Sequence, residues 1–383
     1  MKLALVTQNV STSLSDKPNL MAQGLVELGH EVHLISTGVP ATRELDYRGA
    51  RTERDPPSAS VHTKVRSLDL GRDVVLVSPF SRALREDFDA VLLHEDYPPL
   101  SKVGFLWARR RGCPVGMLFE RYYYPPGIPI SLTLKVLDRT WHRLMWRRTQ
   151  WLLYHSRASL RFFTGMGAPE DRSHYFPGFI DSQLFRESAD KARRDPSRAR
   201  PEPLDVISVG RLTPYKGQDV LIRAVALLKE SGRKVHLHIV GRGGMEAELR
   251  AMVDRLGLQG MVVIDTRYVA PLDVPARLTT ASIYVQPSRI EPFGMATVEA
   301  MAAGLPVIAS SVGGLADSVV DGVTGRLVPP DDPHRLAGAL GSLIEDADRA
   351  RQMGLQGQRR AHETYDYHVA CAKLDAMLKE VSR

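Results

Sequence analysis

The sequence predicts an α/β protein built from two doubly wound, Rossmann-like units. Three observations carry that expectation. Short apolar runs alternate with segments of helical spacing in the first half of the chain. A charged, proline-bearing stretch, RESADKARRDPSRARPEP at 186–203, interrupts the alternation. A second alternating series follows it. Alternating strand and helix signals build right-handed βαβ units and open parallel sheets. A chain of 383 residues is ample for two of them.

In the first half, 3–6, 31–35, 90–93, 115–119 and 151–154 are short apolar runs that read as buried parallel strands. Residues 19–28 have the spacing of a helix, and Gly29 stands where a helix stop belongs. The stretch 186–203 shows no apolar face and reads as the linker, leaving 1–185 as the first unit. In the second half the expected strands are 204–209, 235–240, 262–265, 283–286 and 306–309. The expected helices between them are 219–228, 246–256 and 297–303, in a unit spanning 204–364.

Composition narrows the function. Hydrophobic residues are 43% and charged residues 25%, ordinary for a folded enzyme. A net charge of +7 favours anionic ligands such as phosphates, nucleotides or acidic lipid. The basic residues are dispersed and no nucleic-acid-reading motif is present, so nucleic acid is not an expected partner. Cys113 and Cys371 form neither a disulfide framework nor a zinc spacing, which fits a reducing, cytoplasmic compartment. The opening MKLALVTQNV is too short in its apolar core for a signal peptide. No run of about 18 apolar residues predicts a membrane-spanning helix.

Three segments carry chemistry. The first runs from Glu291 through Pro292, Phe293, Gly294, Met295 and Ala296 to Glu299, after the strand 283–286. Pro292 and Gly294 shape a turn into a helix, whose first amides, at Phe293 to Ala296, form an anion site. Glu299, about one turn into the helix, is placed for ribose hydroxyls, and Glu291, before it, for sugar hydroxyls. The competing reading is two surface glutamates on an ordinary helix. The second segment is GRLTPYKG at 210–217. Arg211 follows a strand's carboxyl end, where open α/β sheets bind ligands, and Lys216 stands at the next helix entry. Together they suit a diphosphate, the guanidinium as a fork and the ammonium as a point charge. The order is not that of a Walker A loop, and the competing reading is a solvated basic loop. The third is GRGG at 241–244, where Gly241 either contacts a bound ligand directly or serves a tight strand-to-helix turn.

Taken together, VISVGRLTPYKGQDVLIRA, HIVGRGG, VQPSRIEPFGMATVEAMAAGLPVIAS and GGLADSVVDGVTGRLVPPDD resemble the retaining GT-B glycosyltransferases of family 4 over 205–332. The resemblance implies two Rossmann-like domains facing a central cleft, with 365–383 returning to the N-terminal domain. It implies transfer of a sugar from a nucleotide-diphosphate sugar to a hydroxyl acceptor: a glycan, a lipid-linked sugar or a small aglycone. By it, Arg211 and Lys216 hold the diphosphate, Glu291 the donor sugar and Glu299 the ribose. The amides near Phe293, Gly294 and Met295 hold the phosphate. No cofactor and no metal are implied. The D-x-D strings Asp87-Phe-Asp89 and Asp346-Ala-Asp348 do not follow strands of the donor unit and read as surface charge.

The N-terminal half departs from the family pattern. The first loop, 7–18, lacks the usual glycine pair. Glu120 stands where the family has a histidine, and 179–181 reads Phe-Ile-Asp in place of an interdomain Asn-Gly-Val-Asp turn. His94, at the end of 90–93, is a catalytic candidate against a plain loop histidine. Residues 132–151 combine Lys135, Arg139, Arg143, Arg147 and Arg148 with Trp141, Trp146 and Trp151. That composition suits peripheral contact with the inner face of a membrane, or a packed helix with a solvated basic face. Two other functions stay open: an epimerase or hydrolase acting on nucleotide sugars, and a non-catalytic partner that kept the fold.

Overall fold

A computed structural model gives the structure and describes residues 1–7, 17–36, 61–64, 67–69, 75–77, 86–124, 128–194, 204–267, 269 and 273–381. Contacts divide the chain into two compact units, Met1–Phe179 with Tyr367–Arg383, and Ile180–Asp366.

The first unit begins with β1 (Lys2–Thr7), α1 (Lys17–Glu27) and β2 (Glu31–Ser36). Then come β3 (Val61–Lys64), β4 (Ser67–Asp69), β5 (Val75–Val77), β6 (Ala90–His94), α2 (Pro99–Arg111) and β7 (Val115–Phe119). The helices α3 (Ile128–Arg139) and α4 (Trp141–Trp146) lead to β8 (Trp151–Tyr154), α5 (Arg157–Gly165) and β9 (Ser173–Tyr175). Seven strands form a parallel sheet in the order β3-β2-β1-β6-β7-β8-β9, and β4 pairs with β5 separately. Alternation along β1 splits the core. Ala4 and Val6 join one cluster with Phe105, Met117 and Trp146, while Leu3 and Leu5 join another with Leu25 and Leu34. Both faces are buried, so the strands read as unbroken apolar runs rather than alternating ones.

The second unit opens with α6 (Ser182–Arg193), which corrects the expected linker: 186–193 is helical. Asp181 caps it by accepting from the amide of Leu184 at 3.2 Å, and Ser182, Phe185 and Ala189 are buried on one face. A boundary drawn at 186 separates Phe185 from Ala189 and so conceals that face. Residues 195–203 lie outside the described residues. Next come β10 (Leu204–Val209), α7 (Gln218–Glu230), β11 (Val235–Val240), α8 (Glu246–Arg255) and β12 (Val262–Asp265). Then follow α9 (Val274–Leu278), β13 (Ile283–Gln286), α10 (Met295–Ala302), β14 (Val307–Ser310) and α11 (Leu315–Ser318). The unit ends with β15 (Gly325–Val328), α12 (Pro333–Glu345) and α13 (Ala347–Tyr365). The sheet order β12-β11-β10-β13-β14-β15 is doubly wound and reverses between β10 and β13. Leu221, Val225, Leu237, Ile239 and Leu340 fill one face, and Tyr284, Val298, Met301 and Val307 the other. Each such side chain contributes roughly 1.5–3 kcal/mol when fully buried.

The chain then returns to the first unit as α14 (Tyr367–Val381). Cys371, Leu374 and Leu378 pack with Leu20, Met21 and Leu25 of α1. A Cβ on Gly24 would stand 2.6 Å from Cys371 Sγ, so glycine permits this helix contact. His30 Nε2 and Asp375 Oδ1 meet at 2.9 Å beside it. Both cysteines are free and buried, and burial raises the Cys113 thiol to about 11.

Candidate active site

In the second unit the candidate residues gather at the carboxyl ends of β10 and β13. These are adjacent parallel strands, and the sheet order reverses between them. A crevice opens at such a reversal because successive connections leave to opposite faces. Lys216 closes a short 3-10 turn, Pro214–Lys216, directly after β10. Its Nζ reaches Glu291 Oε2 at 2.5 Å, with the two side chains only 16% and 7% exposed. The same carboxylate oxygen accepts from Ser288 Oγ at 3.1 Å and Gln286 Nε2 at 3.3 Å. Gln286 Nε2 also donates to Ser288 Oγ, and Tyr284 Oη donates to Gln286 Oε1. The Tyr284 phenol is raised well above its ordinary value, first by burial and then by the charges of Glu291 and Glu299. Both carboxylates therefore lie near one buried ring. Glu291 and Glu299 are 6% and 8% exposed, which removes the surface-glutamate reading.

Gly294 caps α10 at φ 97, a left-handed conformation that side chains resist. A Cβ there would stand 2.5 Å from Leu315 Cδ2. The turn leaves the first amides of α10 outside the helical ladder. Thr297 N bonds back to Gly294 O, while Met295 and Ala296 begin the helix with half-buried side chains. The Phe293 ring is buried and meets Tyr365 edge-on at 5.7 Å, so its side chain serves the core. Arg211 is exposed, lies 5.8 Å from the Tyr215 ring centroid, and makes no ion pair with the described residues. Gly241 directly follows β11, where a Cβ would fall 1.8 Å from Gly210 O. Close backbone approach therefore explains that glycine without any ligand.

His94 belongs to the first unit. Its Nε2 lies 3.3 Å from Glu120 Oε1, which also receives Lys17 Nζ at 2.5 Å. Burial lowers the His94 pKa, but the hydrogen bond and charge of Glu120 outweigh it, and the net shift is upward. His94, Glu120 and His155 bring ligand-type atoms within 4.8 Å of one another. The Lys17 ammonium already supplies positive charge to that carboxylate. The first loop of the sequence reading lies, at 8–16, outside the described residues.

Residues 132–151 split by face. Trp146 and Trp151 are buried in separate cores of the unit and Trp141 packs against the core of Trp146, while Lys135, Arg139, Arg143, Arg147 and Arg148 are exposed. The tryptophans are unavailable to a membrane surface because they fill the sheet's flank. What remains outward is basic, with Leu132 and Val136 exposed among it. No described helix is long and apolar enough to cross a membrane. Of the D-x-D strings, Asp87 pairs with Arg111, Asp89 Oδ2 accepts from the Lys2 amide, and Asp346 caps α13.

Reasoning from the sequence missed Tyr284, Gln286 and Ser288 around Glu291, and Lys17 and Glu95 beside His94. Gln286 and Ser288 stand in the string VQPSRIEPFG and Tyr284 directly before it, where a polar residue ending a buried apolar strand was the available signal.

Comparison with known proteins gives the family and the fold. The family described as "Glycosyl transferases group 1" matches 190–360, and "Glycosyl transferase 4-like domain" matches 19–178. A GDP-mannose-dependent alpha-(1-6)-phosphatidylinositol monomannoside mannosyltransferase of Mycolicibacterium smegmatis is 32% identical, covering 57% of this chain and 59% of that protein. A D-inositol 3-phosphate glycosyltransferase of Corynebacterium glutamicum is 34% identical, covering 55% and 52%. The chain thus spans about half the length of the curated relatives it matches. The solved structure of Anabaena HepE in complex with UDP and glucose superposes with a TM-score of 0.73 at 20% identity, over 99% of this chain and 100% of that one. Sucrose-phosphate synthase from Thermosynechococcus elongatus gives 0.75 at 18% identity, over 100% and 99%. The chain belongs to the group 1 glycosyl transferases, with the two-domain, Rossmann-like GT-B fold.

Proposed function

We infer that this protein transfers a sugar, with retention, from a nucleotide-diphosphate sugar to a hydroxyl acceptor. The observation that carries the reading is the buried Lys216–Glu291 pair beside the first turn of α10, at the sheet's switch point. In transfer, the acceptor oxygen bonds to the anomeric carbon as its bond to the diphosphate oxygen breaks. Negative charge grows on the diphosphate as that bond breaks, and the departing oxygen takes up the acceptor proton. Lys216, Arg211 and the α10 amides near Phe293, Gly294 and Met295 are the groups to receive that charge. Glu291 fixes the Lys216 ammonium and faces the sugar, and Glu299 holds the ribose. Cations and amides of the chain supply what a metal would, so the reaction needs none. His94 contacts the acceptor in the first unit. The similar proteins named for GDP-mannose and the neighbour holding UDP make GDP- and UDP-sugars the first donors to test. The basic outer face of α3 and α4 is the surface for any peripheral contact with acidic lipid.

The test is transfer from UDP-, GDP- and ADP-sugars to a panel of sugar alcohols, with free sugar release measured beside it. Transfer supports the reading. Release without transfer points to a hydrolase, and neither activity with any donor points to a non-catalytic chain.

A further inference from the structure

The first unit carries a second polar cluster that the donor chemistry does not use. At the carboxyl ends of β6 and β7, beside the start of α1, stand Lys17, His94, Glu95 and Glu120. The sheet order also reverses here, between β1 and β6. Glu95 is held at φ 65, and among the described residues only Asp331 is another non-glycine residue of positive φ. Such backbone persists only where surroundings enforce it, and it gathers at ligand sites. Its amide bonds to Leu118 O at 2.9 Å, and its Oε1 accepts the Glu120 amide at 2.8 Å. Its other oxygen, Oε2, is buried and has no hydrogen-bond partner. A buried carboxylate oxygen is costly to leave unpaired. The rim above is open, with 22% of the His94 side chain and 37% of that of Glu120 exposed.

We propose that this cluster is a subsite for an uncharged sugar or polyol, one of whose hydroxyls donates to Glu95. The proposal rests on the glycosyl-transfer reading and names the acceptor's chemical class. Charge favours a phosphate less here than at Lys216, where the exposed Arg211 and the first turn of α10 stand beside the pair. Lys17 is committed to Glu120 at 2.5 Å and His94 to the same oxygen at 3.3 Å. Of the other charged groups acting on Glu95, Glu120 and Asp96 are acidic, and the Arg121 guanidinium is held by both oxygens of Asp138 at 2.9 and 3.0 Å. Burial first, then the Glu120 charge, holds the Glu95 carboxyl up at about 7, and a donated hydroxyl relieves part of that penalty.

Ligand-observed NMR on the full chain tests this. The probes are methyl α-mannoside, methyl β-galactoside, myo-inositol, mannose 6-phosphate and inositol 3-phosphate, and UDP and GDP binding is measured on the same samples. Glu95→Gln keeps the shape and removes the charge. Glu95→Gly deletes the carboxylate and suits the positive φ, which offsets part of the loss of the bond from the Glu120 amide, and melting curves of both variants check that they fold. At least one neutral probe is expected to bind the parent chain. Glu95→Gln should weaken it about tenfold, the loss of one hydrogen bond to a charged group, and Glu95→Gly should abolish it. Tighter binding of a phosphorylated probe would overturn the proposal. So would neutral-probe binding indifferent to both variants, with only water then meeting Glu95. Absence of any neutral binding beside normal nucleotide binding also overturns it, yet leaves the transfer reading standing. Absence of nucleotide binding strikes the transfer reading itself.

Discussion

Lys216→Ala should harm both the fold and the reaction, and the structure sets the two magnitudes apart. Glu291 Oε2 receives Lys216 Nζ at 2.5 Å, Ser288 Oγ at 3.1 Å and Gln286 Nε2 at 3.3 Å. Removing one partner of a buried pair costs roughly 3–5 kcal/mol when nothing compensates. The bonds from Ser288 and Gln286 persist, made by neutral donors at long range and worth about 1 kcal/mol each, so a net cost of about 2 kcal/mol is expected. Glu291→Gln should cost less, about 1 kcal/mol, because it strands the less enclosed partner, 16% exposed against 7%. Urea midpoints of both single variants and the double variant give the coupling, expected at about 1–2 kcal/mol. Turnover should fall further. Losing one preorganised charge donor costs roughly 3 kcal/mol of transition-state stabilisation, on the order of a hundredfold in rate. Release of nucleoside diphosphate from the best donor measures it. Unchanged stability would show that the pair does not form, and near-parental turnover would remove Lys216 from the diphosphate.

The two glutamates should fail differently. Glu299→Ala is expected to weaken calorimetric binding of the free nucleotide, while Glu291→Ala leaves it nearly intact and lowers turnover; the reverse pattern would invert the donor. Glu95 should leave a mark on stability. Its carboxyl moves from 4.5 to about 7 on folding, so between those values the folded chain holds a proton the unfolded chain has released. Stability must then fall as pH rises through that window, by about 3 kcal/mol from this group, and Glu95→Gln should remove that share. Identical pH dependence of the two melting curves would refute the burial argument. Gly294→Ala forces a side chain to φ 97 and against Leu315, so a loss of about 1–3 kcal/mol in thermal unfolding is expected; no loss would mean the turn relaxes freely.

Much of this was legible in sequence where local chemistry and fold agree. Buried parallel strands are apolar throughout, so 204–209, 235–240, 262–265 and 283–286 match β10 to β13 without adjustment. Gly29 stops α1 as expected, at φ 85, with only Leu28 between it and the last helical residue, Glu27. The helix expected at 297–303 begins earlier, at Met295, because Gly294 turns the chain before the apolar spacing shows. Short β15 was missed: GRLV opens with glycine and lies at the sheet edge. At the site, residue types suggested a phosphate and sugar locus but not the pairing of Lys216 with Glu291. That contact joins residues 75 positions apart, and only the adjacency of β10 and β13 brings them together. Trp146 and Trp151 misled for a related reason, since composition shows a basic aromatic segment but not which side faces inward.

The central claim is that the second unit binds a nucleoside diphosphate through Lys216, Arg211 and the start of α10. Calorimetric titration of UDP, GDP and ADP into the chain, in excess EDTA, tests it most directly. One nucleotide should bind at a single site, and Arg211→Ala and Lys216→Ala should each weaken it about tenfold or more. Binding that vanishes in EDTA and returns with magnesium, or that ignores both substitutions, would contradict the account.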